Sequence, residues 1–450
     1  MKDMTTGNPT KLIAGFALPL LLGGVFQQIY NLVDVMIVGR YLGDKALAGV
    51  GSTSNLTFFL LSLTWGLCSG AGIIVAQCFG AKNYKEMRKA VTAIIWIGAT
   101  VALVIAIVGT LFSPFFLKIL SVPDDVYEYS VTYLRILYLF VFGSIAYNGC
   151  SSVLRSVGDS KTPLRALIIA SIINIVLDLF FVVVLSWGVA GVAVATVIAQ
   201  HVSAVYCLSY LFRKREEFQL SGLEWKPDKV MVKEIFRLGV PTAFQSSLIS
   251  LGGMSVQRLI NSFGTSVMAA YAAAVKVDSL AIQVIVSLGS AMSVFTGQNI
   301  GMGRYDRIKS GLRSTLTMSI SAAITIAALA FFFGKNVMML FLGENSSPET
   351  ITIGATYLSI MGVAYIICGI MQSYQNVIGG SGDVNTCMIA GMTELAGRVI
   401  FAYLLANIIG VTGIWIATPL SWGCGCIVPV VRYYSGKWKN KAVVKKDEVV

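Results

Sequence analysis

The sequence predicts an all-α polytopic membrane protein with twelve transmembrane helices in two six-helix lobes. Of its 450 residues, 56% are hydrophobic and 12% are charged, whereas a soluble globular chain is about 45–50% apolar and about 25% charged. Apolar runs of at least the roughly 20 residues that a spanning helix needs follow one another along the chain. The net charge of +12 resides in the short segments between these runs, which indicates membrane topology and excludes a soluble enzyme or a nucleic-acid groove.

One long polar connection, residues 213–234, separates two groups of six apolar segments. We therefore expect an N-terminal lobe over 1–213, a cytoplasmic linker over 214–234, a C-terminal lobe over 235–432 and a basic cytoplasmic tail over 433–450. The predicted spans are 12–38, 48–77, 91–112, 130–153, 163–185, 188–212, 235–262, 271–299, 311–333, 352–377, 386–406 and 410–431.

The distribution of basic residues predicts how the chain is oriented. Most Lys and Arg residues between spans lie on the side of the N-terminus, including those of the central linker and the tail. The opposite side carries Arg40, Lys45, Lys118 and Lys335. Because Lys and Arg are enriched in cytoplasmic connections, both termini are predicted to be cytoplasmic in a multi-pass protein of the cell (inner or plasma) membrane.

The two halves resemble each other at an offset of about 220 residues, as in transporters built from internal repeats. AQCFGAKNY aligns with GQNIGMGRY, VTYLRIL with ATYLSIM, and GDSKT (158–162) with GDVNT (382–386). Pro19 and Pro241 fall at corresponding places in spans one and seven. Each half has an even number of spans, so the repeat is parallel and its axis should lie along the membrane normal. Such an architecture favours a transporter with a site near the bilayer midplane.

Carboxylates inside the spans are the main candidates for chemistry. Asp34 lies in span one and Asp178 in span five, one helical turn after Asn174, while Thr196 lies in span six. A carboxylate at mid-bilayer costs about 2.5–3.5 kcal/mol, and two neighbouring ones do not both ionise cheaply unless a proton or cation joins them. We predict that these four residues form a site for H⁺ or Na⁺. The alternative is that each acid only pairs with a neighbouring helix.

The second half carries a different set of charges. Glu394 and Arg398 in span eleven are spaced to pair at i, i+4, and Arg258 stands in span seven. A satisfied polar network of these three residues is expected here, rather than a second cation site. Lys276 and Asp278, near the outer end of span eight, are expected to form an interfacial pair.

Four residues are candidates for lining a substrate cavity: Gln27, Tyr30, Met254 and Met292. Methionine-rich surfaces can repack around varied apolar ligands, although ordinary packing between spans is the alternative. His201, the single histidine, is expected to pack or to form a hydrogen bond between helices, with a proton relay as the alternative.

The whole chain resembles the MATE (multidrug and toxic compound extrusion) transporters of the MOP superfamily, within which it is most similar to the DinF-like branch. The resemblance implies antiport of organic, often cationic, drugs against H⁺ or Na⁺. It places the coupling ion at Asp34, Asn174, Asp178 and Thr196, and implies that ion binding bends the first helix at Pro19. The acids that the NorM-type branch carries in spans seven and ten are missing. The resemblance rests on LPLLLGGVFQQIYNLVDVMIVGRYLG, VAQCFGAKN, LRSVGDSKTP, INIVLD, GVAGVAVATVIAQ and TGQNIGMGR.

An alternative function within the same superfamily is a flippase for lipid-linked oligosaccharides or other lipids. A flippase typically has a strongly basic cavity, to which Arg258 and Arg398 would contribute. The sequence contains no ATP-binding loop and no catalytic motif in a usable context, so an enzyme is not expected. The predicted partners are small organic molecules and the lipid bilayer, with no nucleic acid, no cofactor or metal apart from the coupling ion, and a monomeric state.

Overall fold

The computed structural model describes residues 3–120, 122–343 and 346–444, so the predicted tail lies partly outside the described residues. Every regular element in these ranges is a helix. The helices that follow the predicted spans are α1 Pro9–Ile37, α2 Gly43–Gly80, α3 Tyr84–Ile119, α4 (Asp124–Leu139 and Phe142–Ser156), α5 Lys161–Val184, α6 Gly188–Arg213, α7 Lys229–Asn261, α8 Thr265–Gly301, α9 Tyr305–Leu342, α10 Pro348–Gly380, α11 Val384–Ile409 and α12 Val411–Tyr434.

Most of these helices have the length and composition of membrane spans. Among the described residues, nine uninterrupted helical stretches are long and apolar enough to cross a membrane, and the first of them, Pro9–Gly80, contains both α1 and α2. The two helices of α4 form a tenth, bent by 51° where they meet. The predicted all-α polytopic fold is confirmed.

The described chain divides into two compact units, and the division falls inside α1 and α7. In each helix the chain passes from one unit to the other just after a proline, Pro19 or Pro241. Proline donates no backbone hydrogen bond and weakens a helix at that point, which makes these two positions suited to a change of direction. The lobe boundaries predicted above stay a prediction. The first unit contains 22–79 and 83–243, and the second contains 4–21, 80–82 and 244 onward.

Within the first unit, α2 packs closely on the first half of α7 through small residues. A Cβ added at Gly66 would lie 2.5 Å from Cβ of Ala243, and one added at Gly70 would lie 2.7 Å from the backbone nitrogen of Gly239. Both helices therefore present two small residues four positions apart. This spacing lets helix backbones approach closely in membrane proteins.

Within the second unit, the segment that precedes α1 is fastened to the turn between α8 and α9. The backbone N–H of Met4 donates to Oε1 of Gln298 at 2.9 Å, and Nδ2 of Asn299 donates to the carbonyl of Met4 at 3.0 Å. The guanidinium of Arg307 donates to the carbonyls of Met4 and Gly7 at 3.1 and 2.9 Å. Met4 is fully buried, so the segment is part of the core of this unit.

The repeated Gly-Asp sequence forms the tight turns before α5 and α11. Gly158 and Gly382 have φ values of 88° and 94°, a left-handed conformation that glycine adopts without strain. The carboxylate of Asp159 then accepts hydrogen bonds from two backbone N–H groups at the start of α5, both at 3.0 Å. Asp383 instead forms an ion pair with Arg432 at 2.5 Å. The repeat therefore preserves the turn while its aspartate has different partners.

Candidate cation site

Helices α1, α5 and α6 of the first unit bring the four predicted coupling residues into one cluster. The carboxylates of Asp34 and Asp178 are direct neighbours, and the Asn174 amide lies beside Asp178. Thr196 adjoins them through two tyrosines described below. Asn174 and Asp178 share a face of α5 because they are one helical turn apart. Residues distant in sequence therefore form one polar cluster inside apolar helices.

The two carboxylates of this cluster differ in their access to the surroundings. Asp178 and Asn174 have no exposed surface at all, whereas Asp34 is partly exposed. Asp34 is therefore the carboxylate of the pair that is accessible from outside the cluster.

Several polar atoms of the cluster have no hydrogen-bond partner in the described part of the chain. They are Oδ1 of Asp34, both carboxylate oxygens of Asp178, both amide atoms of Asn174 and the hydroxyl of Thr196. A buried polar atom without a partner costs about 1–3 kcal/mol, more for a charged group, and such atoms in a native protein call for a specific explanation. The set is rich in oxygen, with two carboxyl groups, which suits a proton or a hard cation such as Na⁺.

Two tyrosines complete the cluster, and sequence reasoning missed one of them. Tyr30, predicted for the substrate cavity, is buried beside Asp34 and Thr196. Tyr133 of α4 lies near Asp34, Asp178 and Thr196. The match of VTYLRIL with ATYLSIM singled out the segment that contains Tyr133 but gave no reason to connect it with the acids.

A π-helical turn follows each of the two acids. The helix that carries Asp34 continues into the π-helical segment Val38–Leu42, and α5 becomes π-helical over Phe180–Val184, directly after Asp178. Such turns widen the helix and are frequent at functional sites. The backbone is therefore irregular on the same side of both acids.

In the second unit, the predicted polar network forms only in part. Arg398 donates to Glu394 at 2.6 Å, and the side chains of both residues are largely buried. Arg258 is exposed and makes no ion pair with any described residue. The network therefore consists of the α11 pair without the arginine of α7.

The prediction that Lys276 pairs with Asp278 is wrong. Lys276 is exposed and forms no ion pair within the described ranges, whereas Asp278 accepts a hydrogen bond from the hydroxyl of Tyr365. Tyr357 and Arg398 also lie close to this carboxylate. The tertiary contact with α10 prevails over pairing with Lys276, because a carboxylate facing the helix bundle gains a hydrogen-bond donor that the sequence neighbourhood does not offer.

The remaining candidates for the substrate cavity have different surroundings. Met254 is about half exposed, and Gln27 is partly buried and donates to Asn31 at 3.2 Å. Met292 is fully buried in an apolar cluster with Phe295, a position in the packed core rather than on a cavity. A role in substrate contact therefore stays a proposal for Gln27 and Met254.

His201 packs against the second half of α4. Its Nδ1 lies 2.8 Å from the carbonyl of Val197 on its own helix. A Cβ added at Gly143 would lie only 2.6 Å from this nitrogen. The glycine therefore makes room for the imidazole ring, as the packing interpretation expects.

A helical membrane protein with two related halves and a cluster of intramembrane acids belongs to the class of membrane transporters rather than enzymes. The MatE family profile matches the chain twice, over residues 19–180 and 241–404. The chain therefore belongs to the MatE family. Each match begins at one of the two prolines in α1 and α7, in agreement with the internal repeat.

The chain also matches individual relatives along nearly its full length. It is 30% identical over 440 residues to the probable multidrug resistance protein YoeA of Bacillus subtilis (strain 168), covering 96% of this chain and 94% of that protein. It is 26% identical to the probable multidrug resistance protein NorM of Thermotoga maritima, covering 98% and 95%. An outward-facing multidrug resistance MATE family transporter of the MOP superfamily superposes with a TM-score of 0.91 at 22% identity, covering 98% of this chain and 99% of that one.

Proposed function

We propose that the chain is a secondary antiporter that exports organic, often cationic, drugs or metabolites in exchange for H⁺ or Na⁺ by alternating access. Membership in the MatE family supports transport, and the names of relatives such as the multidrug resistance protein YoeA support drugs as the substrate class. The protein is proposed to be a monomer in the cell membrane, with both termini in the cytoplasm.

The observation that carries the proposal is the unpartnered state of the Asp34–Asp178 cluster within the described residues. A pair of acids with a purely structural role would be expected to have donors for its oxygens. Here the carboxylates instead face each other. A proton or Na⁺ bound between them removes the repulsion, and its release on the other side of the membrane restores it. Binding of the ion on one side and its release on the other thereby couple the ion gradient to conformational change in the protein.

The flippase alternative has weaker support. It relies on Arg258 and Arg398 to supply a basic cavity, but the charge of Arg398 is compensated by Glu394 at 2.6 Å. Of the two arginines, the exposed Arg258 is therefore the one whose charge is not compensated by a described acid. No specific observation favours a lipid-linked sugar over an organic drug as the exported molecule.

Ethidium efflux from cells that lack their own drug pumps tests the proposal. Cells that express the wild-type chain should export ethidium, and Asp34→Asn or Asp178→Asn should abolish export while the protein remains in the membrane. Asp125→Asn is the matched control, because this exposed acid is not part of the cluster. Its carboxylate lies 3.7 Å from Nζ of Lys45. Export at wild-type rates by both cluster variants would overturn the coupling site, and no export by the wild type would overturn ethidium as a substrate.

A further inference from the structure

We propose that a groove between α4 and α6 in the first unit binds one anionic phospholipid, with its phosphate at Arg213. The groove has a volume of about 910 Å³ and lies where α4 bends by 51°. This volume falls in the range of roughly 300–1,000 Å³ that small-molecule sites occupy. The inference rests on the proposed membrane location but not on the identity of the transported drug.

One wall of the groove is a single face of α6 that changes from apolar to polar along its length. From Val194 to Val205 the lining is apolar except for His201, whose Nδ1 faces the backbone carbonyl of Val197. This stretch rises about 16 Å along the helix axis, close to the roughly 15 Å of hydrocarbon in one leaflet. The apolar part of the groove therefore has the length of an acyl chain in a single leaflet.

The groove is open to the surroundings of the helices. Val205 is 60% exposed and Phe140, at the bend of α4, is 48% exposed. An acyl chain of the bilayer can therefore enter from the side, without passing through the interior of the protein. This access favours a lipid over a water-soluble ligand as the occupant.

The polar end of the groove contains hydrogen-bond donors and no acid. Tyr206, Ser209, Tyr210 and Arg213 line it, and none of the described residues that line the groove is acidic. Arg213 is exposed at the end of α6 and has no ion pair in the described ranges. Hydroxyl groups and a guanidinium are the partners that a phosphate diester accepts from.

The basic residue next to Arg213, Lys214, pairs with an acid outside the groove, so Arg213 is the basic residue at the polar end of the groove. Nζ of Lys214 lies 3.0 Å from the carboxylate of Glu217, and Lys214 does not line the groove. A basic pocket beside a spanning helix on the cytoplasmic side is the arrangement that anionic lipid headgroups recognise. The structure thus assigns the headgroup contact to Arg213 rather than to the basic segment as a whole.

Thermal unfolding of the purified, delipidated protein with added lipid tests the proposal. Phosphatidylglycerol should raise the unfolding temperature more than phosphatidylcholine with the same acyl chains. Arg213→Gln should weaken the apparent affinity for phosphatidylglycerol about fivefold, the effect expected from one basic residue at an anionic headgroup. Lys214→Gln, which removes the same charge one residue away, should leave that affinity unchanged.

Two results would overturn the proposal. Equal stabilisation by the two lipids would show that the headgroup is not recognised. Equal effects of Arg213→Gln and Lys214→Gln would show that general surface charge, and not a specific contact at Arg213, attracts the lipid. Should Arg213→Gln not fold, Val205→Trp fills the apolar part of the groove, and retained phosphatidylglycerol in native mass spectrometry of that variant would equally contradict the proposal. Ethidium efflux by the wild type is measured separately, so failure of the lipid site and failure of drug export are distinguishable.

Discussion

Tyr133 and Tyr357 occupy the same position in the two sequence repeats, and each lies beside a carboxylate of its own unit. Tyr133 adjoins Asp34 and Asp178, whereas Tyr357 adjoins Asp278. The acids themselves come from different helices, α1 and α5 in the first unit and α8 in the second. The duplicated tyrosine therefore serves two chemically distinct clusters, one with unpartnered acids and one with a hydrogen-bonded acid.

Replacement of Tyr133 by Phe should slow cation-driven export. The hydroxyl of Tyr133 lies beside the two acids and Thr196, where it would donate to a carboxylate once the coupling ion has left, and a hydrogen bond to a charged group contributes about 1.5–3 kcal/mol. We expect a fall of at least about tenfold in the initial rate of ethidium efflux. Tyr127→Phe, which removes a hydroxyl bonded to the carbonyl of Pro114 at 3.0 Å, is the control near the start of the same helix. Equal rates for the two variants would assign no transport role to Tyr133.

Replacement of Thr196 by Val should weaken binding of the coupling ion while preserving the fold. The variant removes an unpartnered hydroxyl from the cluster and keeps the branched shape of the side chain. The concentration of H⁺ or Na⁺ that gives half-maximal transport should rise about fivefold, the loss of one ordinary hydrogen bond or ligand. Thr196→Ser, which retains the hydroxyl, should behave like the wild type. A Val variant with unchanged ion dependence would remove Thr196 from the site.

Disruption of the Glu394–Arg398 pair should destabilise the second unit. Both side chains are largely buried, and removal of one partner of a buried pair costs about 3–5 kcal/mol because the other charge is left uncompensated. Glu394→Leu should therefore lower the thermal stability strongly, and the double variant Glu394→Leu with Arg398→Met should recover much of the loss. Glu234→Gln breaks the more exposed pair with Arg237 and should have little effect. A double variant as unstable as the single one would contradict this account.

The acid of α8 should contribute to stability more than to coupling. Asp278→Ala leaves the buried Tyr365 hydroxyl without its acceptor, at a cost of about 1–3 kcal/mol. The melting temperature in detergent should fall, whereas ion-driven efflux by the folded protein should persist. Lys276→Ala, two residues away and exposed, should leave both unchanged. Loss of ion dependence in folded Asp278→Ala would place a coupling acid in the second unit.

The sequence predicts the helices well because each span must be apolar over its full length. The apolar run predicts span nine at 311–333, and α9 extends over Tyr305–Leu342, since a helix continues beyond the hydrocarbon region into its polar flanks. The 51° bend of α4 at Phe140 has no proline to mark it, so it is not predictable from the residues alone.

The candidate site is predictable only where a residue type is unusual for its surroundings. Asp34 and Asp178 stand out because carboxylates are rare in apolar helices. Tyr133 does not, because tyrosine packs in spans without special function. The bonding of Asp278 is not predictable in the same way, because its partner, Tyr365, is distant in sequence and close only in the folded chain.

Ethidium transport by purified protein in liposomes, with an imposed H⁺ or Na⁺ gradient, shows whether the ion shared by Asp34 and Asp178 drives export. With one of the two ions, the wild type should move ethidium in the direction opposite to the flow of that ion. This transport should stop when the gradient of that ion is collapsed. Asp34→Asn and Asp178→Asn should not respond to either gradient, whereas Asp125→Asn should match the wild type. Gradient-driven transport by both cluster variants at the wild-type rate would show that this shared ion does not drive export.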